Sequence, residues 1–78
     1  MSLRSLMKVL TEVRYDIIAV EKNTGTMILL KFDYVHGHSA TDLDWRLRLM
    51  GYGAKVTDIF NANGVLNIRV SYEMVDNY

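Results

Sequence analysis

The segment spanning residues 42–52 (DLDWRLRLMGY) constrains the fold most, because as an α-helix it carries apolar side chains on two opposite faces. At about 100° per residue, the two stripes are Leu43, Leu47 and Met50 on one side and Trp45, Leu49 and Tyr52 on the other. A helix packed on one side of a sheet buries a single stripe. The second stripe must therefore be covered by the rest of the domain, by a second copy of the chain or by a partner.

The same segment also fits a β-strand, because apolar residues occupy every second position from 43 to 49. We favour the helix, since most of its residues are good helix formers and both ends carry helix signals. Ser39 and Asp42 resemble an N-terminal cap, and Gly51 or Gly53 can end the helix. If the segment were a strand, its apolar residues would simply alternate with the intervening residues, and there would be no second helical stripe to cover.

Length and composition indicate one small domain covering residues 1–78, of which 50% are hydrophobic. Nine basic and nine acidic side chains give a net charge of zero, which provides no overall attraction to nucleic acid or to an anionic membrane. The chain has no cysteine, and its sequence contains neither a membrane-spanning apolar run nor a secretory signal. We therefore expect a cytoplasmic protein.

The remaining sequence predicts one more helix and four strands. Apolar residues recur at helical spacing from Leu3 to Val13, with Ser2 as the N-cap. Two β-hairpins are indicated by apolar runs that flank turn residues, namely 15–21 with 26–35 and 54–60 with 65–74. The predicted order is αββαββ. The fold class that we expect is α+β, a two-layer sandwich in which an antiparallel four-stranded sheet carries both helices on one face.

The order of these elements resembles a circularly permuted ferredoxin-like sandwich, at the level of topology alone. Such a resemblance carries no function. Gly25 and Gly64 lie 39 residues apart, and this offset also suggests two αββ halves related by a pseudo-twofold axis. We favour the explanation that two unrelated amphipathic units meet similar packing demands, since too few residues are identical at this offset to indicate a duplication.

Catalytic and metal-binding signals are weak. His36, His38, Asp42 and Asp44 are the best candidate metal ligands, because an H-x-H pair can direct two imidazoles at one ion. A helix cap and a solvated loop need the same residue types. The sequence contains no GxSxG, HExxH, P-loop or GxGxxG motif. We therefore expect no enzymatic activity, no catalytic residue, no bound metal and no cofactor.

Protein binding is the function that the sequence favours. Aromatic and arginine side chains are typical of interface hot spots, and the predicted interface consists of Trp45, Leu49, Tyr52, Arg46 and Arg48. Met27, Leu29, Ile17, Ile59 and Val65 are expected to add an apolar strip on the outer sheet face. The prediction is a non-catalytic adaptor, inhibitor or regulator that forms a homodimer, a role often filled by small proteins of phages and mobile elements. Alternatively, Trp45 packs inward.

Nucleic-acid binding is the alternative from another class. It would use stacking and basic groups on the sheet face opposite the core, and the candidates are Tyr15, Lys31, Lys55 and Arg69. The same face is expected to carry Asp33 and Glu73, a mixture that is typical of a solvated surface.

Overall fold

The computed structural model describes residues 1–10, 14–32 and 40–74. Its elements are α1 (Leu3–Met7), β1 (Tyr15–Glu21), β2 (Met27–Phe32), α2 (Ala40–Gly51), β3 (Lys55–Ala62) and β4 (Val65–Tyr72). Their order along the chain is the predicted αββαββ. Residues 42–50 belong to α2, so the helical interpretation of this segment is confirmed and the strand alternative is wrong.

The predicted ranges of the first helix and of the second strand both extend beyond the residues that the structure describes. The first helix ends at Met7, so its predicted continuation over residues 8–10 is wrong, and residues 11–13 of its predicted range lie outside the described part of the chain. The second strand ends at Phe32, and the rest of its predicted range lies outside as well.

The four strands form one sheet in the order β2-β1-β4-β3. Each hairpin is antiparallel, but the central strands β1 and β4 run parallel to each other. The predicted antiparallel sheet is therefore wrong, and the sheet is mixed.

The position of α2 between the hairpins explains how a parallel pair arises. Since β1 and β4 are parallel and each is antiparallel to its hairpin partner, β2 and β3 run in the same direction. A helix that returns the chain across a sheet joins strands of like direction. If β2 lay beside β4, as in the permuted ferredoxin-like order, every neighbouring pair would be antiparallel. In the structure β1, and not β2, lies beside β4, so the central pair is parallel. The sheet therefore does not have the permuted ferredoxin-like order.

The same sheet order excludes the suggested pseudo-twofold relation. Two equivalent αββ halves would place β1 and β3 in equivalent positions. In the structure β1 is central and β3 is an edge strand. The 39-residue spacing of Gly25 and Gly64 therefore reflects two hairpin turns and not a symmetric repeat.

Both helices pack on one face of the sheet and enclose a single core. Leu3 and Leu6 of α1 and Leu49 of α2 belong to the same buried cluster as alternate residues of the strands. The strand members are Tyr15, Ile17, Ala19, Leu30, Ile68, Val70 and Tyr72. The period of two in the strand sequences therefore separates a helix-covered face from an outer face.

Local turn chemistry agrees with these boundaries. Ser2 caps α1, because its hydroxyl oxygen accepts a hydrogen bond from the Ser5 amide at 3.1 Å. Asn63 and Gly64 have φ values of 54° and 75°, as a type I′ turn requires between antiparallel strands. The chain start lies beside β3, since the Leu3 amide donates to the Ala54 carbonyl at 2.8 Å.

Candidate binding surfaces

The predicted interface stripe on α2 faces the core of the domain. Leu49 is completely buried within the chain, and Trp45 and Tyr52 are half-buried and packed against the core cluster. Leu47, on the opposite side of the helix, is 57% exposed. Leu49 therefore cannot contact a partner in this fold, and the alternative in which Trp45 packs inward agrees with the structure.

The two predicted interface arginines make contacts within the chain. Arg48 lies 3.1 Å from Asp44 one helical turn earlier, and its guanidinium stands over the Trp45 ring, 5.4 Å from the ring centroid. Arg46 donates a hydrogen bond to the Tyr15 hydroxyl at 2.9 Å. This second contact ties α2 to β1 and fixes the helix across the sheet.

The predicted nucleic-acid residues do not share one face. Tyr15 is buried on the helix-covered face, so it is unavailable for base stacking. Lys31, Lys55 and Arg69 occupy outer-face positions, as predicted. Strand register pairs Lys31 with Asp16 and Arg69 with Asp58, so carboxylates stand opposite two of these three cations. The charge on this face is therefore largely balanced, whereas phosphate binding needs an excess of positive charge.

The most exposed apolar side chains of the outer face lie on the β1–β2 hairpin, and Phe60 of β3 lies on the same face at 37% exposure. On the β1–β2 hairpin, strand register places three pairs side by side, namely Asp16 with Lys31, Ile18 with Leu29 and Val20 with Met27. We call these six outer-face residues the hairpin face. Met27 is 63% exposed and Leu29 is 56% exposed. The corresponding positions of β4 are polar, namely Asn67, Arg69 and Ser71.

The apolar outer strip differs from the predicted one in its members. Met27 and Leu29 lie on the outer face as expected, but Ile17 is fully buried on the core face. Ile59 pairs with the buried Ile68 and so lies on the helix side of the edge strand. Ile18 and Val20 were missed, although they alternate with Ile17 and Ala19 in the same strand and so point the other way.

Glu21 at the end of β1 was also missed by sequence reasoning. The residue is 4% exposed, and its Oε2 atom accepts hydrogen bonds from the Asn23 amide, the Thr24 amide and the Thr24 hydroxyl at 2.9, 2.7 and 2.9 Å. An acidic residue two positions before an N-T-G turn is the sequence signal for this arrangement, because a carboxylate can accept from successive turn amides.

A cavity of about 430 Å³ lies beside this turn. Its walls come from the end of β1, the β1–β2 turn, β2, α2, the end of β4 and Met74, and its apolar members are Ile28, Trp45, Tyr72 and Met74. Glu21 and Thr24 are among its polar members. The Tyr72 ring also stacks on Tyr52, with centroids 6.0 Å apart, which holds that wall in place.

Electrostatics in this region favour a charged carboxylate and a neutral phenol. Hydrogen bonding from the Thr24 amide is the largest influence on Glu21 and holds the pKa of its carboxyl below the ordinary value, against the opposing effect of burial. Burial raises the pKa of the Tyr72 phenol, and the nearby negative charge of Glu21 adds to the effect. The cavity therefore contains an anionic group at neutral pH.

The structure gives no support to a metal centre in the part of the chain that it describes, where no group of three or more potential ligands occurs. His36 and His38 lie outside the described residues, as does the side chain of Asp42. That candidate site is therefore neither formed nor excluded by the residues described.

Comparisons of the chain with protein-family models, with curated proteins and with solved structures found no match. Among the described residues, no helix has the length and apolar character needed to cross a membrane.

Proposed function

We propose that this protein is a non-catalytic, cytoplasmic protein-binding module that associates with a second copy of itself through the hairpin face. The observation that carries the proposal is the exposure of Met27 and Leu29, at 63% and 56%, on a sheet face that α1 and α2 leave open. Neighbouring exposed apolar side chains on one open face are characteristic of interaction sites. The lack of cysteine suits a reducing compartment.

The pattern of the hairpin face suits a second copy because it is self-complementary. Consider a twofold axis that runs parallel to the strands, midway between β1 and β2. Rotation about it exchanges the members of each registered pair, so Ile18 stacks on Leu29 of the second copy and Val20 on its Met27. Stacked sheets with nearly aligned strands are a common packing arrangement. Each apolar contact occurs twice, as in any isologous interface.

The charged pair at the end of the hairpin face supports the same geometry. Rotation brings Asp16 opposite Lys31 of the second copy, and Lys31 opposite its Asp16. Opposite charges therefore meet in this arrangement, and the zero net charge of the chain adds no general repulsion between copies.

The size of this contact predicts weak association. The axis lies between an edge strand and its neighbour, so about half of the four-stranded face overlaps with the second copy. A standard interface buries about 800 Å² per partner, and the two-stranded overlap falls below that. We therefore expect a dissociation constant in the micromolar range or weaker.

Sedimentation velocity on Leu29→Lys tests the surface, with Leu47→Lys as the matched control. Both leucines are similarly exposed, at 56% and 57%, but Leu47 lies on α2 and outside the hairpin face. Over about 10 µM to 1 mM, we expect the wild type and the control to dimerise and Leu29→Lys to remain monomeric. A monomeric wild type at the highest concentration would refute self-association.

A charge exchange tests the proposed axis itself. In Asp16→Lys and in Lys31→Asp, like charges face each other across the twofold axis, so each variant alone should dimerise less than the wild type. Mixing the two variants should produce a heterodimer, because opposite charges then meet again. Equal association of both variants alone and in the mixture would contradict this geometry.

A further inference from the structure

We propose that the cavity beside the β1–β2 turn binds a cationic group, an ammonium or guanidinium carried on an apolar arm. The proposal is independent of self-association, because the cavity is lined by helix-side residues such as Trp45 and Tyr72 and not by the hairpin face. Three features of the cavity carry it, namely the buried Glu21 carboxylate, the aromatic walls and the volume.

The first feature is a buried negative charge whose hydrogen-bond donors are neutral groups. Glu21 is 4% exposed, and its carboxylate accepts hydrogen bonds from the backbone amides of Asn23, Thr24 and Met74 and from the Thr24 hydroxyl. Within the described ranges, no lysine or arginine forms an ion pair with it. A buried carboxylate is more favourable when a cation lies nearby, and hydrogen bonds from neutral donors leave its net charge in place. A cationic ligand would supply the missing charge.

The second feature is the composition of the walls. Trp45 lines the cavity, and an indole ring is the aromatic side chain that best attracts a cation; outside the cavity lining, the Arg48 guanidinium already stands 5.4 Å from the centroid of this ring. Tyr72 forms another aromatic wall, and Ile28 and Met74 supply aliphatic surface. Aromatic rings next to a carboxylate are the groups that recognise organic cations, while aliphatic walls accommodate the arm that carries the charge.

The third feature is the volume of about 430 Å³, which lies within the range of small-molecule sites. It is large enough for the side chain of lysine or arginine or for a free amine of similar size. The shared chemistry of these ligands is a cation on a short apolar chain.

Fluorescence titration tests the proposal, because Trp45 is the one tryptophan of the chain and forms a wall of the cavity. The probes are n-butylammonium and n-butylguanidinium, with n-butanol as the neutral analogue and butyrate as the anionic one. We expect saturable binding of the cations, about tenfold tighter than that of butanol, and weaker binding of butyrate. Equal affinity for butanol and butylammonium would overturn the proposal.

Two variants locate the charge that is recognised. Glu21→Gln retains an oxygen that can accept from the Thr24 amide, so the turn can persist while the charge is removed. We expect it to lose the preference for cations over butanol. Asp58→Asn removes a carboxylate on the outer face of β3 and should keep that preference. If the Glu21→Gln fold is lost, Trp45→Leu read by NMR chemical shifts replaces it, and an undiminished cation affinity there would contradict the role of the aromatic wall.

Blocked amino acids distinguish the two sources of the cation. If N-acetyl-lysine and N-acetyl-arginine methylamides bind more tightly than the butyl probes, the ligand is a side chain of a polypeptide. If the butyl probes bind more tightly, the ligand is a free amine. Both results support cation recognition, whereas the absence of binding by all four cations overturns it. None of these outcomes depends on the oligomeric state, so this test and that of self-association can fail separately.

Discussion

Replacement of Leu49 by alanine tests how α2 packs on the sheet, and Leu47→Ala on the same helix is the matched control. The two leucines are 0% and 57% exposed. They are two positions apart, so a helix places them about 200° apart, whereas a strand would place them on one face. The pair therefore reports on both the helical conformation and the direction that the predicted interface stripe faces.

The expected difference follows from burial. Truncation of a fully buried leucine costs about 3 kcal/mol, since the apolar contacts are lost and a cavity remains. For 78 residues the entropy of unfolding near the melting temperature is about 0.16 kcal/mol/K. Leu49→Ala should therefore lower the melting temperature by roughly 15–20 °C. Leu47→Ala should change it by only a few degrees, because its side chain is exposed and alanine favours helices.

Circular dichroism during thermal unfolding measures both shifts, and it should be carried out at a concentration at which the chain is monomeric. If Leu49→Ala does not fold, Leu49→Val provides the same comparison with a smaller loss of volume. Similar shifts for the two positions would refute the placement of α2. A stable Leu49→Ala variant that loses only its self-association would show instead that this side chain belongs to an interface.

Two further predictions concern the turn and the sheet order. Because the pKa of Glu21 is lowered in the folded state, its contribution to stability is present above the ordinary value of 4.5 and is lost as the pH falls through the lower folded value. Melting temperatures of the wild type should therefore fall more steeply in this acidic range than those of Glu21→Gln; parallel curves would contradict the assignment. For the sheet, Ile18→Cys with Arg69→Cys should cross-link on oxidation, since the two residues pair across the parallel strands. Leu29→Cys with Arg69→Cys should not, because β1 lies between them; the reverse result would indicate the ferredoxin-like order.

Much of the architecture follows from local sequence patterns. Alternation of apolar residues in β4 predicts its buried face, and Asn63-Gly64 predicts its turn, because both depend on residues close in sequence. The helix over 42–50 is also predictable from propensity and end signals. The relative direction of the central strands β1 and β4 is not determined by local sequence. It depends on which strand of each hairpin lies inside, and that is decided by packing between distant segments.

The sequence did carry a partial signal for that choice. β3 contains Lys55, Thr57, Asp58 and Asn61, and polar strands are suited to sheet edges. β1 has apolar residues at Ile18 and Val20 on its outer face as well as on its inner face, as central parallel strands do. Strand β2 (MILLKF) is at least as apolar as β1 (YDIIAVE), and for that reason composition alone does not decide which of the two is central.

The direction that the predicted interface stripe faces was not predictable, because one helix offered two apolar stripes. Trp45, Leu49 and Tyr52 have the composition of an interface, but aromatic and large aliphatic side chains are also those that a small core needs. The side that faces the sheet is fixed by contacts such as that between Arg46 and Tyr15, which are 31 residues apart. Such a long-range hydrogen bond has no local signature.

The sheet order also explains why the open surface lies on the hairpin face and not on α2. In the permuted ferredoxin-like order β2 would lie inside the sheet, and neighbours on both sides would shelter Met27 and Leu29. In the observed order β2 is an edge strand, so these side chains stand at the rim with β1 on one side only. Meanwhile β1 lies next to the polar outer positions of β4, where Ile18 adjoins Arg69. The parallel central pair thus leaves Met27 and Leu29 at the edge of the outer face, and the proposed self-association through the hairpin face depends on that position.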